Sequence, residues 1–151
     1  MHTIVEKEWT TKAGLRAVVV MTTMATRNGY VEFTPETMLE YYCYSIQFED
    51  IEKWTPELIA KQRKVNALEV HGGPSFIGTL KGGMKAIGFD CGHAWDAPNW
   101  DEADVLFGDD EDYLKFRETR KSMTVYPDEE QRSLEYVIEQ CELLAAQLKE
   151  I

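Results

Sequence analysis

Two short stretches of the sequence gather side chains that can do chemistry. Val70-His71-Gly72-Gly73 places an imidazole directly before two glycines, and the stretch from Gly88 to Asp96 holds further reactive groups. Those groups belong to Asp90, Cys91, His93 and Asp96. Carboxylates, imidazoles and a thiol serve in acid–base catalysis, in nucleophilic catalysis and in metal binding. If the apolar strands that precede them are neighbours, the two stretches meet at one end of a sheet.

The types of these residues fit three kinds of chemistry. The candidate catalytic residues are His71, His93, Asp96 and Cys91, the last as a nucleophile activated by His71. His71, His93 and Asp96 are also a candidate ligand set for a divalent metal such as zinc or manganese, with one position open to substrate. Cys91 equally fits the core, because free cysteine is among the most often buried residue types.

A second group of residues is suited to hold a ligand. The candidate ligand-binding residues are Arg27, Gly72, Gly73 and Asp90. Arg27 is a cation in an otherwise neutral stretch and suits a phosphate or carboxylate, whereas glycines allow the backbone to approach a ligand closely. Asp90 equally fits a turn with Gly92. Trp95 and Trp100 either stack on a planar ligand or fold their segment onto the protein.

The pattern of apolar and turn residues predicts the elements that position these groups. Alternating and β-branched runs predict strands at residues 4–10, 15–21, 30–33, 67–71, 75–80 and 85–90. Lys12-Ala13-Gly14 and Asn28-Gly29 are typical of turns. Thr34-Pro35-Glu36 and Thr55-Pro56-Glu57 each offer a Thr N-cap before a proline, so each predicts the start of a helix.

The second half of the chain divides into an acidic stretch and an amphipathic helix. From Gly92 to Leu114 there are eight acidic residues and no lysine or arginine, which favours a long functional loop or solvated segment, followed by a short helix over 112–121. Apolar residues recur at helical spacing from 134 to 148, with Asp128 and Gln131 as a candidate capping pair. These elements predict a single α+β domain over residues 1–151, a mainly antiparallel sheet of about six strands with helices on one face, including the long C-terminal helix.

The composition limits the classes of partner. The 151 residues carry 16 Lys+Arg against 27 Asp+Glu, a net charge of −11, so duplex nucleic acid and acidic membrane surfaces would repel the chain. No apolar run approaches the roughly 20 residues that span a bilayer, and no signal-peptide core is present. The cysteines Cys43, Cys91 and Cys141 are few and far apart, which suits a reducing cytoplasm.

Four parts of the sequence carry a resemblance. The first is an N-terminal run with Glu8-Trp9, Gly14-Leu15-Arg16, Val18-Val19-Val20, Arg27 and Gly29-Tyr30-Val31. The others are Val-His-Gly-Gly at 70–73, Gly-Phe-Asp-Cys-x-His-Ala-x-Asp at 88–96, and Tyr-Val-x-x-x-Cys-Glu-x-Leu-Ala-x-Gln-Leu at 136–148. In this order they resemble a widespread group of small phage-encoded proteins, over nearly the whole chain. The resemblance implies a phage origin and action in the host cytoplasm rather than a particular reaction. By analogy it implies host takeover or counter-defence, in which some small proteins bind or destroy nucleotide signals.

Two classes of function follow from these observations. The first is binding or hydrolysis of a small anionic, nucleotide-like ligand at the His/Asp/Cys site, with metal-dependent hydrolysis as an alternative form. The second is non-enzymatic inhibition, in which the acidic surface binds a host protein. Convergence of His71, His93 and Asp96 in a concave pocket favours the first class. A dispersed arrangement beside a protruding acidic loop favours the second.

Overall fold

The structure is a computed structural model that describes residues 2–33, 56–121 and 128–150. Its strands are β1 (Thr3–Thr10), β2 (Arg16–Thr22), β3 (Arg27–Glu32), β4 (Phe76–Thr79), β5 (Lys85–Asp90), β6 (Asp96–Ala97) and β7 (Glu130–Gln131). Its helices are α1 (Pro56–Asn66), α2 (Trp100–Phe107), α3 (Glu111–Lys121) and α4 (Leu134–Leu148). The predicted helix start at Pro56 is the start of α1. The helix predicted from Thr34 and the residue Cys43 lie outside the described residues.

Within this part of the chain, the strands form one antiparallel sheet and one short parallel pair. The sheet has five strands in the order β1-β2-β3-β5-β4, and β6 pairs with β7. The residues of β2 from Ala17 to Met21 are all buried, as expected of a β-branched apolar run inside a sheet. The predicted α+β class with a mainly antiparallel sheet is confirmed, with five strands in the main sheet rather than about six.

The predicted turn at Asn28-Gly29 is wrong, because both residues lie inside β3. The chain turns earlier, where the N–H of Ala25 donates to the carbonyl of Thr22 at 3.0 Å. Gly29 serves packing instead. A β-carbon at Gly29 would come within 2.5 Å of the Phe89 ring and 2.7 Å of the Cys141 sulfur. The glycine therefore lets α4 pack closely against the centre of the sheet.

The predicted strand at 67–71 is also wrong. These residues form irregular turns after α1, and side chains of α4 satisfy part of their backbone. Glu69 and Gln147 exchange two hydrogen bonds, with the Glu69 N–H donating at 2.7 Å and the Gln147 amide donating to the Glu69 carbonyl at 2.8 Å. The N–H of His71 donates to Oε1 of Gln140 at 2.8 Å. The segment therefore lies against a helix rather than pairing with a strand.

The acidic stretch is helical where a loop was predicted. Residues 100–107 form α2 and α3 begins at Glu111, because Ala103, Phe107 and Tyr113 are buried while their neighbours stay in solvent. The predicted helix over 112–121 is confirmed as α3.

The predicted cap of α4 at Asp128 and Gln131 is wrong. Gln131 belongs to β7, and the Ser133 hydroxyl caps the helix by accepting from the Tyr136 N–H at 3.1 Å.

The two hydrophobic clusters of the described residues lie on one face of the sheet. The main cluster joins Val19, Val31 and Phe89 to the buried stripe of α4, and a second cluster joins Met21 to α2 and α3. Val19 and Met21 are two residues apart on β2, so both clusters lie on the same face, as predicted for the helices. Across the three described ranges, no helix is both long and apolar enough to cross a membrane.

Two adjacent leucines of α4 test which face of this helix supports the fold. Leu144 is buried in the main cluster and Leu143 is exposed. We expect Leu144→Ala to lower the free energy of unfolding by about 2–5 kcal/mol, because it leaves a cavity. The matched Leu143→Ala should change it by less than about 0.5 kcal/mol. Urea denaturation measures both, and equal effects would contradict the packing of α4 described above.

Candidate functional site

Segments that are distant in the sequence bring polar side chains together beyond the end of β5. His71 lies in the turn that follows α1, His93 lies in the loop after β5, and Asp96 begins β6. The pairing of β6 with β7 brings in Arg132, which lies between β7 and α4. We call His71, His93, Asp96 and Arg132 the Asp96 cluster. The structure thus brings together three residues that the sequence singled out and adds one that it did not.

Asp96 is the centre of the cluster, and its side chain is fully buried. Both carboxylate oxygens lie 3.0 Å from Nε2 of His71. Oδ2 accepts from the main-chain N–H of His93 at 3.0 Å and lies 2.9 Å from Nδ1 of His93, while Oδ1 accepts from Nε of Arg132 at 2.9 Å. Burial alone would raise the pKa of Asp96, but these partners outweigh it and lower the pKa, so the carboxylate is ionised at neutral pH.

His71 is held at both ring nitrogens. Nδ1 lies 2.8 Å from the Tyr136 hydroxyl on the first turn of α4, and Nε2 faces Asp96. The imidazole is only 5% exposed. His71 therefore ties Asp96 to α4 and is largely closed to a ligand.

His93 is the more open imidazole, with a side chain that is 23% exposed. Its Nδ1 faces Asp96, so that carboxylate fixes the direction of the ring. One face of the ring stacks on Trp95, with the ring centroids 4.7 Å apart and the planes 5° from parallel. Orientation by a carboxylate together with partial exposure is what a proton-transferring imidazole requires.

The two glycines after His71 have different roles. A β-carbon at Gly72 would lie 2.2 Å from Cε1 and 2.5 Å from Nε2 of His93, and Gly72 has a φ of +68°. Glycine at this position therefore makes room for the His93 ring as well as for the turn. Gly73 donates its N–H to the carbonyl of Val70 at 2.8 Å, so that amide closes the turn instead of meeting a ligand.

Asp90 forms a turn with Gly92, which the sequence offered as the alternative to a role in ligand binding. Its carboxylate accepts from the Ser75 hydroxyl at 2.9 Å and from the N–H of Gly92 at 3.0 Å. One oxygen remains 3.9 Å from Nδ1 of His93. Asp90 thus shapes the loop that carries His93 and adds negative charge beside the cluster.

Cys91 is not placed to act as a nucleophile. Its side chain is buried in the main core cluster. Burial, with the negative charges of Asp96 and Asp90 nearby, raises the pKa of its thiol to about 12. The thiolate is the attacking form, and this thiol stays protonated at neutral pH. The prediction that Cys91 is a nucleophile is therefore corrected, and the structure favours the other predicted role, that of a small core residue.

Arg27 is engaged in structural contacts, which corrects its predicted role in ligand binding. Its buried guanidinium donates to both carboxylate oxygens of Glu6, at 2.7 and 3.0 Å, and contacts Glu102. A third donor group binds the main-chain carbonyl of Arg132 at 3.0 Å. Carboxylates of the protein therefore occupy the donors that a phosphate would need.

Sequence reasoning missed Arg132, Tyr136 and Gln140. Arg132 is the sole lysine or arginine between residues 122 and 148, which is the kind of scarcity that drew attention to Arg27. That signal was available and would have found it. Tyr136 and Gln140 carry no such signal, because their role depends on which side of α4 meets His71.

The acidic stretch does not form a protruding loop. Beyond Asp96, its carboxylates include Glu102, which pairs with Arg27, and Asp104, which accepts from Arg117 at 3.1 Å and contacts the Tyr113 hydroxyl. Part of the acidity is therefore used inside the fold. This weakens the case for the stretch as a docking surface.

The Asp96 cluster can perform acid–base chemistry or hold a metal. Nitrogens of His71 and His93 and a carboxylate oxygen of Asp96 all lie within 4.8 Å of one another. Two imidazoles and a carboxylate form a ligand set that suits several divalent transition metals. Without a metal, the same carboxylate orients the imidazoles for proton transfer.

No protein-family model, curated protein or solved structure matches the chain. The geometry of the cluster therefore carries the functional argument.

The glycine pair offers a matched test of the His93 position. Both residues have positive φ, +68° at Gly72 and +79° at Gly73, so each alanine substitution should cost about 1–2 kcal/mol through the backbone. Only the β-carbon at 72 meets the His93 ring, since nothing lies within 4 Å of one at 73. We expect Gly72→Ala, and not Gly73→Ala, to shift the imidazole resonances of His93 in NMR spectra. Equal shifts would contradict the contact.

The buried thiols give a second test. In a Cys43→Ser variant of the folded protein at pH 8, Cys91 and Cys141 should not react with a thiol reagent. Both are buried, and burial raises the pKa of each to about 12. Both should react once the chain is unfolded in urea. Rapid modification of one equivalent in the folded protein, abolished by Cys91→Ala, would restore Cys91 as a candidate nucleophile.

Proposed function

We propose that the Asp96 cluster binds and hydrolyses a small anionic, nucleotide-like ligand. The observation that carries this proposal is the convergence of two imidazoles and a guanidinium on one buried carboxylate, with His93 partly open to solvent. Burying a charge costs free energy, and partners from several segments are needed to offset it. A proton-exchanging group at the edge of such a network is typical of an active site.

In this proposal His93 is the residue that meets the ligand. Asp96 holds Nδ1, so Nε2, on the edge beside Gly72, takes a proton from the attacking water. The water oxygen forms the new bond to a phosphorus of the ligand, and the P–O bond to the leaving group breaks. The leaving oxygen departs with the electrons of that bond and takes the proton from the His93 imidazolium, which regenerates the neutral ring. Asp96 stabilises the imidazolium that forms, and His71 and Arg132 position Asp96.

The charge distribution supports an anionic ligand of small size. With a net charge of −11, most of the surface repels anions, so an anion needs a local group of cations. The partly exposed guanidinium of Arg132, which pairs with Asp96 and Glu130, and the partly open ring of His93 supply the local donors that an anion would meet. A small ligand carries few charges and is repelled less by the rest of the protein than a nucleic acid would be.

The resemblance to phage-encoded proteins supports a biological setting for this activity. We infer action in the cytoplasm of an infected bacterial host, as host takeover or counter-defence through removal of a nucleotide-like signal. The segments at 70–73 and 88–96 that carry the resemblance are the ones that contain His71, His93 and Asp96.

Metal-dependent hydrolysis is the second candidate, and a specific observation favours it. The donor atoms of His71, His93 and Asp96 converge within 4.8 Å, and the Tyr136 hydroxyl holds the far nitrogen of His71, as outer partners of metal-binding histidines do. Zinc or manganese there would polarise the ligand or lower the pKa of a bound water. Arg132 opposes this candidate, because its positive charge already pairs with Asp96.

The chain has three histidines, which makes a controlled test simple. We expect His93→Gln and His71→Gln each to lower hydrolysis of mononucleotides at least about 100-fold, as loss of a general acid–base group or its support does. His2→Gln is the matched control, because His2 is exposed near Asp112 on another part of the surface. Chromatographic analysis of products measures turnover, and thermal melts report folding.

The outcomes separate the competing functions. Undiminished turnover in both variants would reject the site. Absence of any turnover or binding in the wild-type protein, with retained capture of a host protein, would favour the acidic inhibitor. Near-stoichiometric zinc or manganese in the purified protein, lost in His93→Gln and kept in His2→Gln, would select the metal-dependent form.

A further inference from the structure

Trp95 is a large apolar side chain left exposed beside the Asp96 cluster. It is 45% exposed although one face of its indole lies flat on the His93 ring. The exposed large apolar side chains of the described residues are Val5, Met24, Trp95, Val105, Leu114 and Leu143. Trp95 is the aromatic member of this set, and it is next to Asp96 in the chain. Its position therefore places an uncovered π-face at the edge of the site.

The turn that carries Trp95 and the imidazole beneath its indole are both restrained. The Trp95 carbonyl accepts from the N–H of Glu130 at 2.9 Å, and the Asp96 N–H donates to the His93 carbonyl at 2.9 Å, which closes a tight turn around Trp95. Asp96 fixes the imidazole on which the indole stacks. The backbone of Trp95 and the imidazole of His93 are therefore both restrained. Binding of a planar group to Trp95 should cost the protein little further conformational entropy.

Two other tryptophans of the described residues are used differently. Trp100 packs near Tyr113 and Phe116 with the Arg117 guanidinium over its ring, and Trp9 donates its indole N–H to Glu142 at 3.0 Å. Both are partly buried against the protein. Of the two uses predicted for Trp95 and Trp100, folding of the segment onto the protein fits Trp100, whereas stacking on a ligand fits Trp95.

We propose that the solvent-facing side of Trp95 is a stacking platform for the nucleobase of the ligand. This inference rests on the proposed function and narrows it, because an inorganic or sugar phosphate would gain nothing from the platform. A base on the outer face would form a three-layer stack with Trp95 and His93. The phosphate would then reach around the indole edge toward the His93 side of the cluster.

The occupant is a free nucleotide rather than a nucleic-acid strand. Aromatic stacking is available to the bases of either, so stacking alone does not discriminate. The net charge of −11 favours a free nucleotide over a nucleic-acid strand, because each further phosphate of a strand is repelled by the acidic surface around the site.

Isothermal titration calorimetry with paired ligands tests the platform. The probes are AMP, GMP, CMP, UMP and ribose 5-phosphate, which has the sugar and phosphate without a base. We expect at least one mononucleotide to bind about 10-fold or more tightly than ribose 5-phosphate. Trp95→Ala should abolish that advantage, so that no mononucleotide binds more tightly than ribose 5-phosphate does to the same variant. Val105→Ala, which removes exposed apolar surface on α2, should change neither.

A second variant keeps the test valid if Trp95→Ala disturbs the turn. Trp95→Leu retains an apolar cover over His93 but has no π-face, and it should also lose the advantage. Equal binding of mononucleotides and ribose 5-phosphate, or an advantage that survives in Trp95→Leu, would overturn the platform while leaving the proposed function standing. Failure of every probe to bind would overturn both. Tighter binding of a short single-stranded oligonucleotide than of any mononucleotide would overturn the assignment to free nucleotides.

Discussion

The burial of one negative charge is the constraint on which the site depends. Asp96 is removed from water, and its carboxylate remains ionised because two imidazoles, a guanidinium and a main-chain N–H surround it. No single element supplies these donors. They come from the turn after α1, the loop after β5 and the segment before α4. The site therefore exists only after sheet, helices and the β6–β7 pair have assembled, and the energetic cost of the buried charge is offset by the fold as a whole.

The C-terminal helix has two separate tasks in this assembly. Its apolar stripe packs on the sheet at Gly29, where the absence of a side chain allows close approach. Its polar flank, through Tyr136, Gln140 and Gln147, binds the irregular segment that ends in His71. Glutamine side chains thus replace a strand partner for that segment. The same helix packs in the core and positions His71, so a shift of α4 in the core would also move one side of the site.

The sequence predicted elements with a simple apolar pattern. β2 and β5 are continuous apolar runs that are buried on both faces, and the apolar residues of α4 repeat at helix spacing. Segment 67–71 was wrongly predicted as a strand, because its apolar and polar residues alternate as in a strand. Its hydrogen-bond partners lie 69 and 78 residues away on α4, which the sequence pattern does not show. α2 was hidden by its acidity, although Ala103 and Phe107 lie four residues apart on one face.

The candidate site was predictable to the extent that it is local. His93 and Asp96 are three residues apart, and the glycine turn pointed to His71. The sequence does not show which arginine belongs to the site, because Arg27 and Arg132 are each the single cation of their stretch. The difference between them is tertiary. Arg27 is buried against Glu6 and Glu102, whereas Arg132, which also pairs with Glu130, donates to the carboxylate of Asp96.

The contact between Arg27 and the main-chain carbonyl of Arg132 has a genetic consequence. Arg27 is anchored by Glu6 and Glu102, which lie on β1 and α2. A substitution of either glutamate would remove part of this anchorage and, through that carbonyl, weaken the support of the segment that presents Arg132. Such alleles would appear in a screen as losses of function without touching the site. Intragenic suppressors would then be sought where another side chain can again bind that carbonyl.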